Sequence, residues 1–410
     1  MSPCLHTAIY TDNASRKTAL AQRLLSDDPP QELNFLKGRQ GRWFSNARIA
    51  EFLEEEARHE TSALTPYAGR PLRTLSSGER KKALLAYLLS GKPEYLILDD
   101  PFDNLDQGYQ QALYNLLAEQ ENSVCFIQLI SRAEDRLPCI RQGAFLDGLA
   151  LVGFPGYEPE VHGKQRFTGT VPPPPRSWPE LPDPLVSLQE VTLTYGQTPV
   201  LDQITWEIRK GDFWELRGPN GSGKSSLITM ISGDNPKAFG QNMYLFGKRK
   251  GSGESVWDIK SLLGYFTPAM SDRFRGYHTL ENMLISGLTD SIGLYVQPTD
   301  AQQLLAQQWL KFLGMETRGQ ERFSDLTEGD KRLIFCARAM IKHPPLLILD
   351  EPTAGLDTRA ARGVAALIAK MASQSETAIV FVSHRKEPGL LPEQVLELQP
   401  GPLGSKAIVV

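Results

Sequence analysis

The sequence predicts an α/β protein that contains two copies of one unit, and three observations support this fold class. Apolar runs typical of buried parallel strands alternate with helix-compatible runs along the 410 residues. A glycine-rich loop stands between such a strand and a helix in the second half of the chain. The same short motifs also recur in the same order in both halves, at matching spacings.

A length of 410 residues and a net charge of -4 limit the classes of protein to consider. The length suits two or three domains, and the charge does not favour nucleic acid as a partner. No apolar run approaches the roughly 18 residues of a spanning helix, and the N-terminus lacks a secretory pattern. The cysteines lack metal-binding spacing and predict reduced thiols: Cys4, Cys125, Cys139 and Cys336. We therefore expect a cytoplasmic protein that reaches the inner face of a membrane only through a partner.

The glycine-rich loop Gly218–Ser225 satisfies the phosphate-binding pattern of Gly, four residues, Gly, Lys and Ser or Thr. It follows a predicted strand at Phe213–Arg217 and opens a predicted helix at Lys224–Ile231, which is the context the motif requires. Glycines let backbone N–H groups surround a polyphosphate, and the helix points its positive end at the same charges. The motif predicts that Lys224 reaches the β- and γ-phosphates and that the Ser225 hydroxyl binds Mg²⁺.

A degenerate copy of this loop follows a short predicted strand, Leu5–Tyr10, at the start of the chain. Lys17 and Thr18 match Lys224 and Ser225. Side chains replace the three glycines, and they restrict positive φ angles and the approach of backbone to phosphate: Thr11, Ala14 and Arg16. We expect weak or altered nucleotide binding in this half.

The spacing of the later motifs establishes the repeat. Ser76, in a capped helix start, precedes Asp99 by 23 residues, and Thr327 precedes Asp350 by the same number. Each aspartate ends an apolar strand and precedes a second aspartate, Asp106 or Asp357, by 7 residues. Independent motifs would not agree in this way, so the chain is predicted to contain two copies of one unit, the first of them reduced.

Composition divides the chain into three parts. Residues 1–150 hold the reduced unit, residues 151–184 form a proline-rich linker, and residues 185–410 hold the unit with intact motifs. A further helix is predicted over residues 47–60, with a glutamate-rich face that we interpret as a solvated surface.

Together, the loop, the LSxGE-like helix start, the apolar strand ending in Asp-Glu and a histidine after the next strand resemble the ATP-binding cassette (ABC) ATPases. This family of P-loop NTPases matches nearly the whole chain except the linker. The resemblance implies modules with a parallel-sheet core and antiparallel and helical subdomains, which bind and hydrolyse ATP with Mg²⁺.

The resemblance also implies roles for individual residues. Asp350 supports the metal together with Ser225, Glu351 polarises the attacking water, and His384 senses the γ-phosphate. Tyr195 stacks on adenine, and Lys224 acts in both binding and catalysis. The implied nucleotide-binding residues are Tyr195, Gly218, Pro219, Asn220, Gly221, Ser222, Gly223, Lys224, Ser225 and Ser226, with Ser76, Ser77 and Gly78 from the first half.

Departures from the family pattern fall unevenly on the two halves. The family pairs two modules head to tail, so each ATP lies between the loop of one module and the helix start of the other. The site with the intact loop would receive Ser76–Gly78, which match the family. Its counterpart has Asp100 and Ser131 in place of Glu and His, and it would receive Thr327–Gly329, where Glu328 replaces a glycine. We expect one competent ATP site per chain.

Among tandem members without membrane spans, the run Leu245–Lys260 and the proline-rich linker resemble the molybdenum-associated, photorepair-like proteins of the ModF type. This resemblance implies a role in transport of molybdate or a related oxyanion, with a permease or another protein as partner. Thr267-Pro268 stands where the family usually has a glutamine that couples to such a partner. A ribosome-associated tandem factor and a non-hydrolysing ATP-gated scaffold remain open alternatives.

Overall fold

The structure is a computed structural model, and it describes residues 5–159, 167, 169–274 and 276–410. Cys4 and part of the predicted linker, residues 160–166 and 168, lie outside the described residues. The chain divides into two compact units. The first comprises Met1–Gly163 with Gly355–Thr358, and the second comprises Lys164–Ala354 with Arg359–Val410.

The first unit is built on one six-stranded sheet. Its elements are β1 (Thr7–Tyr10), α1 (Lys17–Leu24), β2 (Gly41–Phe44), α2 (Asn46–His59), α3 (Thr65–Ala68), α4 (Ser77–Ser90), β3 (Tyr95–Asp99), α5 (Gln107–Ala118), β4 (Cys125–Ile130), β5 (Gln142–Asp147) and β6 (Ala150–Val152). The strands lie in the order β2-β3-β4-β1-β5-β6. All neighbouring pairs are parallel except β5 and β6, which are antiparallel.

The central strands are apolar at every position because both faces of the sheet are covered. In β3, Leu96 and Leu98 belong to one core, and Ile97 belongs to the core on the opposite face. Helix α4 packs on the first core and α1 on the second, through side chains such as Leu84 and Leu20. Burial on both faces explains why the strands read as continuous apolar runs rather than alternating ones.

The helix over residues 47–60 is present as α2, but its glutamates are not all solvated as we expected. Glu51 and Glu54 are exposed, whereas Glu56 is buried. Its carboxylate accepts hydrogen bonds from the backbone N–H groups of Leu72, at 2.8 Å, and Arg73, at 3.2 Å. A single glutamate therefore ties α2 to the segment that precedes α4.

The second unit repeats this architecture and adds to it. Its elements are β7 (Val186–Tyr195), β8 (Thr198–Ile208), β9 (Phe213–Arg217), α6 (Lys224–Ile231), β10 (Met243–Leu245), β11 (Lys248–Arg249), α7 (Val256–Leu262), β12 (Leu263–Phe266), α8 (Pro268–Arg273), α9 (Leu280–Ile285), α10 (Asp300–Phe312), α11 (Glu328–Met340), β13 (Leu346–Asp350), α12 (Thr358–Gln374), β14 (Ala378–Val382), β15 (Gln394–Gln399) and β16 (Lys406–Val409). One sheet has the order β12-β13-β14-β9-β15-β16, which corresponds strand for strand to the sheet of the first unit.

A second, antiparallel sheet of order β11-β10-β7-β8 belongs to this unit, and the described part of the first unit has no counterpart of it. The predicted α/β class, with a parallel core, an added antiparallel sheet and a reduced first module, is confirmed. Across the described ranges, no helix combines the length and apolar character needed to cross a membrane.

The topology of the large sheet brings distant motifs to one edge. Strand β14 lies between β13 and β9, and all three are parallel. The segments that follow these strands therefore emerge side by side: the glycine-rich loop after β9, Asp350 and Glu351 at the end of β13, and Ser383 and His384 after β14. Ligands of α/β sheets bind at such carboxyl ends.

Candidate nucleotide site

The glycine-rich loop joins β9 to α6 in a conformation that requires glycine. Gly218 and Gly223 have φ angles of 149° and 93°. A Cβ atom at Gly218 would lie 2.6 Å from the carbonyl oxygen of Leu398, and one at Gly223 would lie 2.7 Å from Leu201 Cδ2. Backbone conformation and close packing thus exclude side chains here, which leaves the loop N–H groups accessible to an anion.

Lys224 opens helix α6 and points back into the loop. Its Nζ donates hydrogen bonds to the carbonyl oxygens of Gly218, at 2.7 Å, and Pro219, at 3.0 Å. The Ser222 hydroxyl is buried and has no hydrogen-bond partner within the described part of the chain. A buried ammonium group and an unpartnered hydroxyl at a helix start fit the oxygens of a polyphosphate.

The remaining loop residues lie where a ligand can reach them. Pro219 and Asn220 are exposed at the tip of the loop. Ser225 is exposed and Ser226 is half-buried on the first turn of α6. Ser225, the candidate Mg²⁺ ligand, thus lies on an accessible surface.

Two adjacent carboxylates stand at the end of β13. Burial raises the pKa of Asp350 to about 6, and the neighbouring charge of Glu351 raises it as well. Burial raises the pKa of Glu351, but the hydrogen bond from His384 and the electrostatic attraction of nearby groups, among them Lys224 and Arg332, lower the pKa by more. The pKa of Glu351 therefore lies below its ordinary value, and this carboxylate is ionised at neutral pH.

His384 is the direct partner of Glu351. Its Nε2 lies 2.5 Å from Oε1 of Glu351. Its Nδ1 is buried, with no hydrogen-bond partner within the residues that the structure describes. The sequence predicted both residues for the site, and the structure brings them into contact with each other.

Tyr195 ends strand β7 and is 45% exposed. Its hydroxyl accepts a hydrogen bond from Asn235 Nδ2 at 2.9 Å, and Lys237 Nζ lies 5.6 Å from the ring centroid. The ring is thus fixed at its tip and remains accessible. Such a ring can stack on a base.

The equivalent position in the first unit is organised differently. Lys17 Nζ forms an ion pair with Asp100, donates to Ser131 Oγ at 2.7 Å, and lies 3.7 Å from Asp99. Ser131 in turn donates its hydroxyl to Asp100 at 2.7 Å and its N–H at 2.8 Å. Protein side chains therefore occupy the positions around Lys17 Nζ at which a bound phosphate would contact it.

The helix-start segment Ser76–Gly78 of the first unit has the expected local structure. Ser76 Oγ accepts the N–H of Glu79, and the Glu79 carboxylate accepts the N–H of Ser76, which forms a capping box. Ser77 Oγ donates to the carbonyl of Asn104 at 3.3 Å. A Cβ at Gly78 would lie 2.3 Å from the ring of Tyr109, so a side chain at this position would displace that ring.

Sequence reasoning missed Arg332 on helix α11. Its Nη1 lies within hydrogen-bond distance of three carbonyl oxygens in the turn after β13. The repeat could have identified it, because Lys81 stands 251 residues earlier and makes the same kind of contact in the first unit.

Comparisons with known proteins identify the family of this chain. A family profile described as ABC transporter matches residues 201–354. The ABC transporter ATP-binding protein ModF of Escherichia coli (strain K12) is 33% identical over 389 residues, which cover 89% of this chain and 79% of ModF. The chain belongs to the ABC ATPase family. Its activity is therefore that of a P-loop ATPase, which binds and hydrolyses ATP.

Other relatives have the same type of name. An uncharacterized ABC transporter ATP-binding protein of Schizosaccharomyces pombe is 28% identical, over 85% of this chain and 72% of that protein. Among solved structures, cbiO1 from Clostridium perfringens, part of the ABC transporter complex cbiONQ, is 22% identical with a TM-score of 0.48. The matched region covers 55% of this chain and 88% of cbiO1.

Proposed function

We propose that this ABC ATPase hydrolyses ATP at the loop of its second unit, and that the matching position of the first unit does no chemistry. One contrast supports this assignment. Lys224 Nζ donates hydrogen bonds to two neutral carbonyl oxygens of its own loop, and a phosphate can replace these bonds. Lys17 is held by carboxylates and a hydroxyl, whose displacement by another anion would leave like charges together.

Phosphate binding is assigned to the loop N–H groups, Lys224 Nζ and the Ser222 hydroxyl. Ser225 and Asp350 would hold Mg²⁺, which when bound neutralises charge on the phosphate oxygens. Asn220 and Ser226 complete the surface that faces the phosphates, and Tyr195 supplies a ring for adenine.

Water activation is assigned to Glu351. Because this carboxylate is ionised at neutral pH, it can accept a hydrogen bond from a water molecule and orient that water toward the γ-phosphate. His384 would fix the rotamer of Glu351 through the 2.5 Å contact between its Nε2 and Glu351 Oε1.

The test is Glu351→Gln. The amide keeps the shape of the side chain but cannot serve as a base, so hydrolysis should fall by roughly 10²- to 10⁴-fold while ATP affinity is kept. Phosphate release and calorimetric titration with ATP measure the two quantities. A variant that hydrolyses ATP within about twofold of the wild-type rate would remove Glu351 from the mechanism.

The proposal extends to a composite site. In it, the second module, residues 185–410, contributes the loop and Glu351, and the first module, residues 1–150, contributes Ser76, Ser77 and Gly78. The support is the uneven distribution of departures from the family pattern. The loop of the second module and the helix start of the first module both match the family, whereas the opposite loop and helix start both depart from it. Residues 151–184 would keep the two modules at high effective concentration.

The transport role rests on the resemblance to ModF. We propose that the ATPase cycle drives a partner in molybdate or related oxyanion uptake, at the cytoplasmic face of the membrane. Co-purification from cells with the Glu351→Gln variant, with and without ATP, tests this role. ATP-dependent recovery of a permease supports it, whereas recovery of ribosomes favours the translation-factor alternative.

A further inference from the structure

Arg332 lies on helix α11, one turn after the helix start, and is largely buried. Its Nη1 donates to the carbonyl oxygens of Glu351 at 3.3 Å, Pro352 at 3.1 Å and Ala354 at 3.2 Å. These bonds reach only the backbone of the turn. Arg332 thus connects the helix to the segment that carries Glu351.

The turn needs such support because its backbone is strained. Glu351 has a φ angle of 47°, which is uncommon for a residue with a side chain. The turn closes through the bond from the Ala354 N–H to the Glu351 carbonyl, at 3.2 Å. Strained positions of this kind persist only where the surrounding structure holds them in place.

In the first unit, a lysine contacts the corresponding turn after β3. Lys81 Nζ donates to the carbonyl oxygens of Pro101 at 3.0 Å and Asp103 at 2.7 Å. Lys81, Pro101 and Asp103 each stand 251 residues before Arg332, Pro352 and Ala354. Asp100, which corresponds to Glu351, also has a positive φ angle, of 40°. A cation on the helix and a strained turn therefore occur together in both copies.

Two further contacts fix the arrangement in the second unit. The Arg332 guanidinium lies 5.4 Å from the ring centroid of Phe266, at the end of β12. On the segment after His384, Glu387 accepts a hydrogen bond from Thr353 Oγ1 at 2.6 Å, and both residues are buried. The turn is thus held from α11 on one side and from the His384 segment on the other.

We propose that Arg332 is a positioning residue that fixes the turn of residues 351–354 and so holds the Glu351 carboxylate where it meets His384. This inference rests on the proposed function, because it assigns Arg332 to the same reaction. The Arg332 hydrogen bonds described above go to backbone carbonyl oxygens of the turn, so we expect its loss to lower turnover more than ATP affinity.

The experiment compares three variants of the full chain. Arg332→Met removes the donors, and Arg332→Lys restores the kind of group that Lys81 provides. Arg338→Met is the matched control, since Arg338 is a buried cation on the same helix that bonds instead to Ser286 Oγ and the Ser291 carbonyl. Steady-state kinetics give kcat and KM for ATP, and hydrogen exchange by mass spectrometry reports on the amides of residues 351–354.

Arg332→Met should lower kcat by about 10- to 100-fold, because misplacement of a catalytic group by an ångström can cost that much. ATP affinity should stay within about twofold, and Arg332→Lys should recover most of the rate, since a lysine makes these bonds in the first unit. Exchange in the turn should accelerate in Arg332→Met and stay at the wild-type rate in Arg338→Met.

Several outcomes would overturn the inference. A wild-type kcat for Arg332→Met would do so, as would equal losses of kcat in Arg332→Met and Arg338→Met. If the wild-type protein bound ATP without turnover, the proposed function would fail, and the exchange measurement alone would decide. Unchanged exchange of the turn in Arg332→Met would then refute the positioning role.

Discussion

Replacing the two loop lysines one at a time should separate structural from nucleotide-binding roles. In the first unit, Lys17 compensates two adjacent carboxylates and hydrogen-bonds to Ser131. In the second unit, Lys224 Nζ donates hydrogen bonds to two carbonyl oxygens of its own loop. We therefore expect Lys17→Met to reduce stability and Lys224→Met to reduce affinity for ATP.

The size of the first effect follows from burial of the ion pair. Removing one partner from a fully buried pair costs about 3–5 kcal/mol, and a surface pair contributes about 0–1 kcal/mol. The side chains of Lys17 and Asp100 are 20% and 19% exposed, so screening is partial. Asp99, whose pKa burial already raises to about 6, can take up a proton when Lys17 is lost, and this limits the cost. We expect about 2 kcal/mol, or a loss of roughly 4–8 °C in Tm for a unit of this size.

The pH dependence has a definite sign. A carboxyl whose folded pKa is raised destabilises the fold above that pKa, and this cost disappears as the pH falls through it. In Lys17→Met the pKa of Asp99 rises further, because the lysine charge that lowers it is gone. The stability deficit of the variant should therefore be larger at pH 8 than at pH 6.

Scanning calorimetry measures the stability of both variants, and titration calorimetry measures ATP affinity. Lys224→Met should weaken ATP binding by roughly 10- to 100-fold, the equivalent of one charge-assisted hydrogen bond. Lys17→Met should leave the affinity within about twofold. Equal losses of affinity in the two variants would refute the reasoning and make the first loop a nucleotide site.

Two further predictions concern the helix starts and a buried carboxylate. Ser76→Arg should reduce ATP hydrolysis about as severely as Glu351→Gln. Thr327→Arg removes an equivalent helix cap and should not reduce hydrolysis in this way. Phosphate release measures both variants, and the opposite result would contradict the composite site. Glu56→Gln should lower the free energy of unfolding by about 1–2 kcal/mol, because one amide oxygen cannot accept from both backbone N–H groups as the carboxylate does. An unchanged Tm would contradict this prediction and show that water replaces the second bond.

The sequence predicted the elements that carry the site because their signals are local. The strand Leu346–Asp350 is apolar at every position before its aspartate, and helix α6 begins at the lysine that the loop motif indicates. Gly233 follows the C-cap of this helix with a φ angle of 81°. Periodicity, glycine and capping residues act within a few positions of each other, so a single sequence contains the information.

Contacts between distant segments could not be predicted in the same way. Glu56 was interpreted as solvated because its neighbours on α2 are charged, and only the fold brings the N–H groups of Leu72 and Arg73 to it. Arg332 sits in a run of polar residues typical of an exposed helix start, yet it is largely buried against the turn after β13. Burial of a charge depends on what packs over it, and this information is not local.

In the first unit, Lys17 bonds to the residues that stand where Glu351 and His384 stand in the second unit. Asp100 replaces a glutamate and Ser131 replaces a histidine, and both shorter side chains bond directly to Lys17. In the second unit the longer Glu351 contacts His384, and Lys224 donates to the loop carbonyl oxygens. The two substitutions thus act together with the lysine, because each supplies a partner that phosphate would otherwise provide. We therefore expect the first unit to depend on Lys17 for its stability.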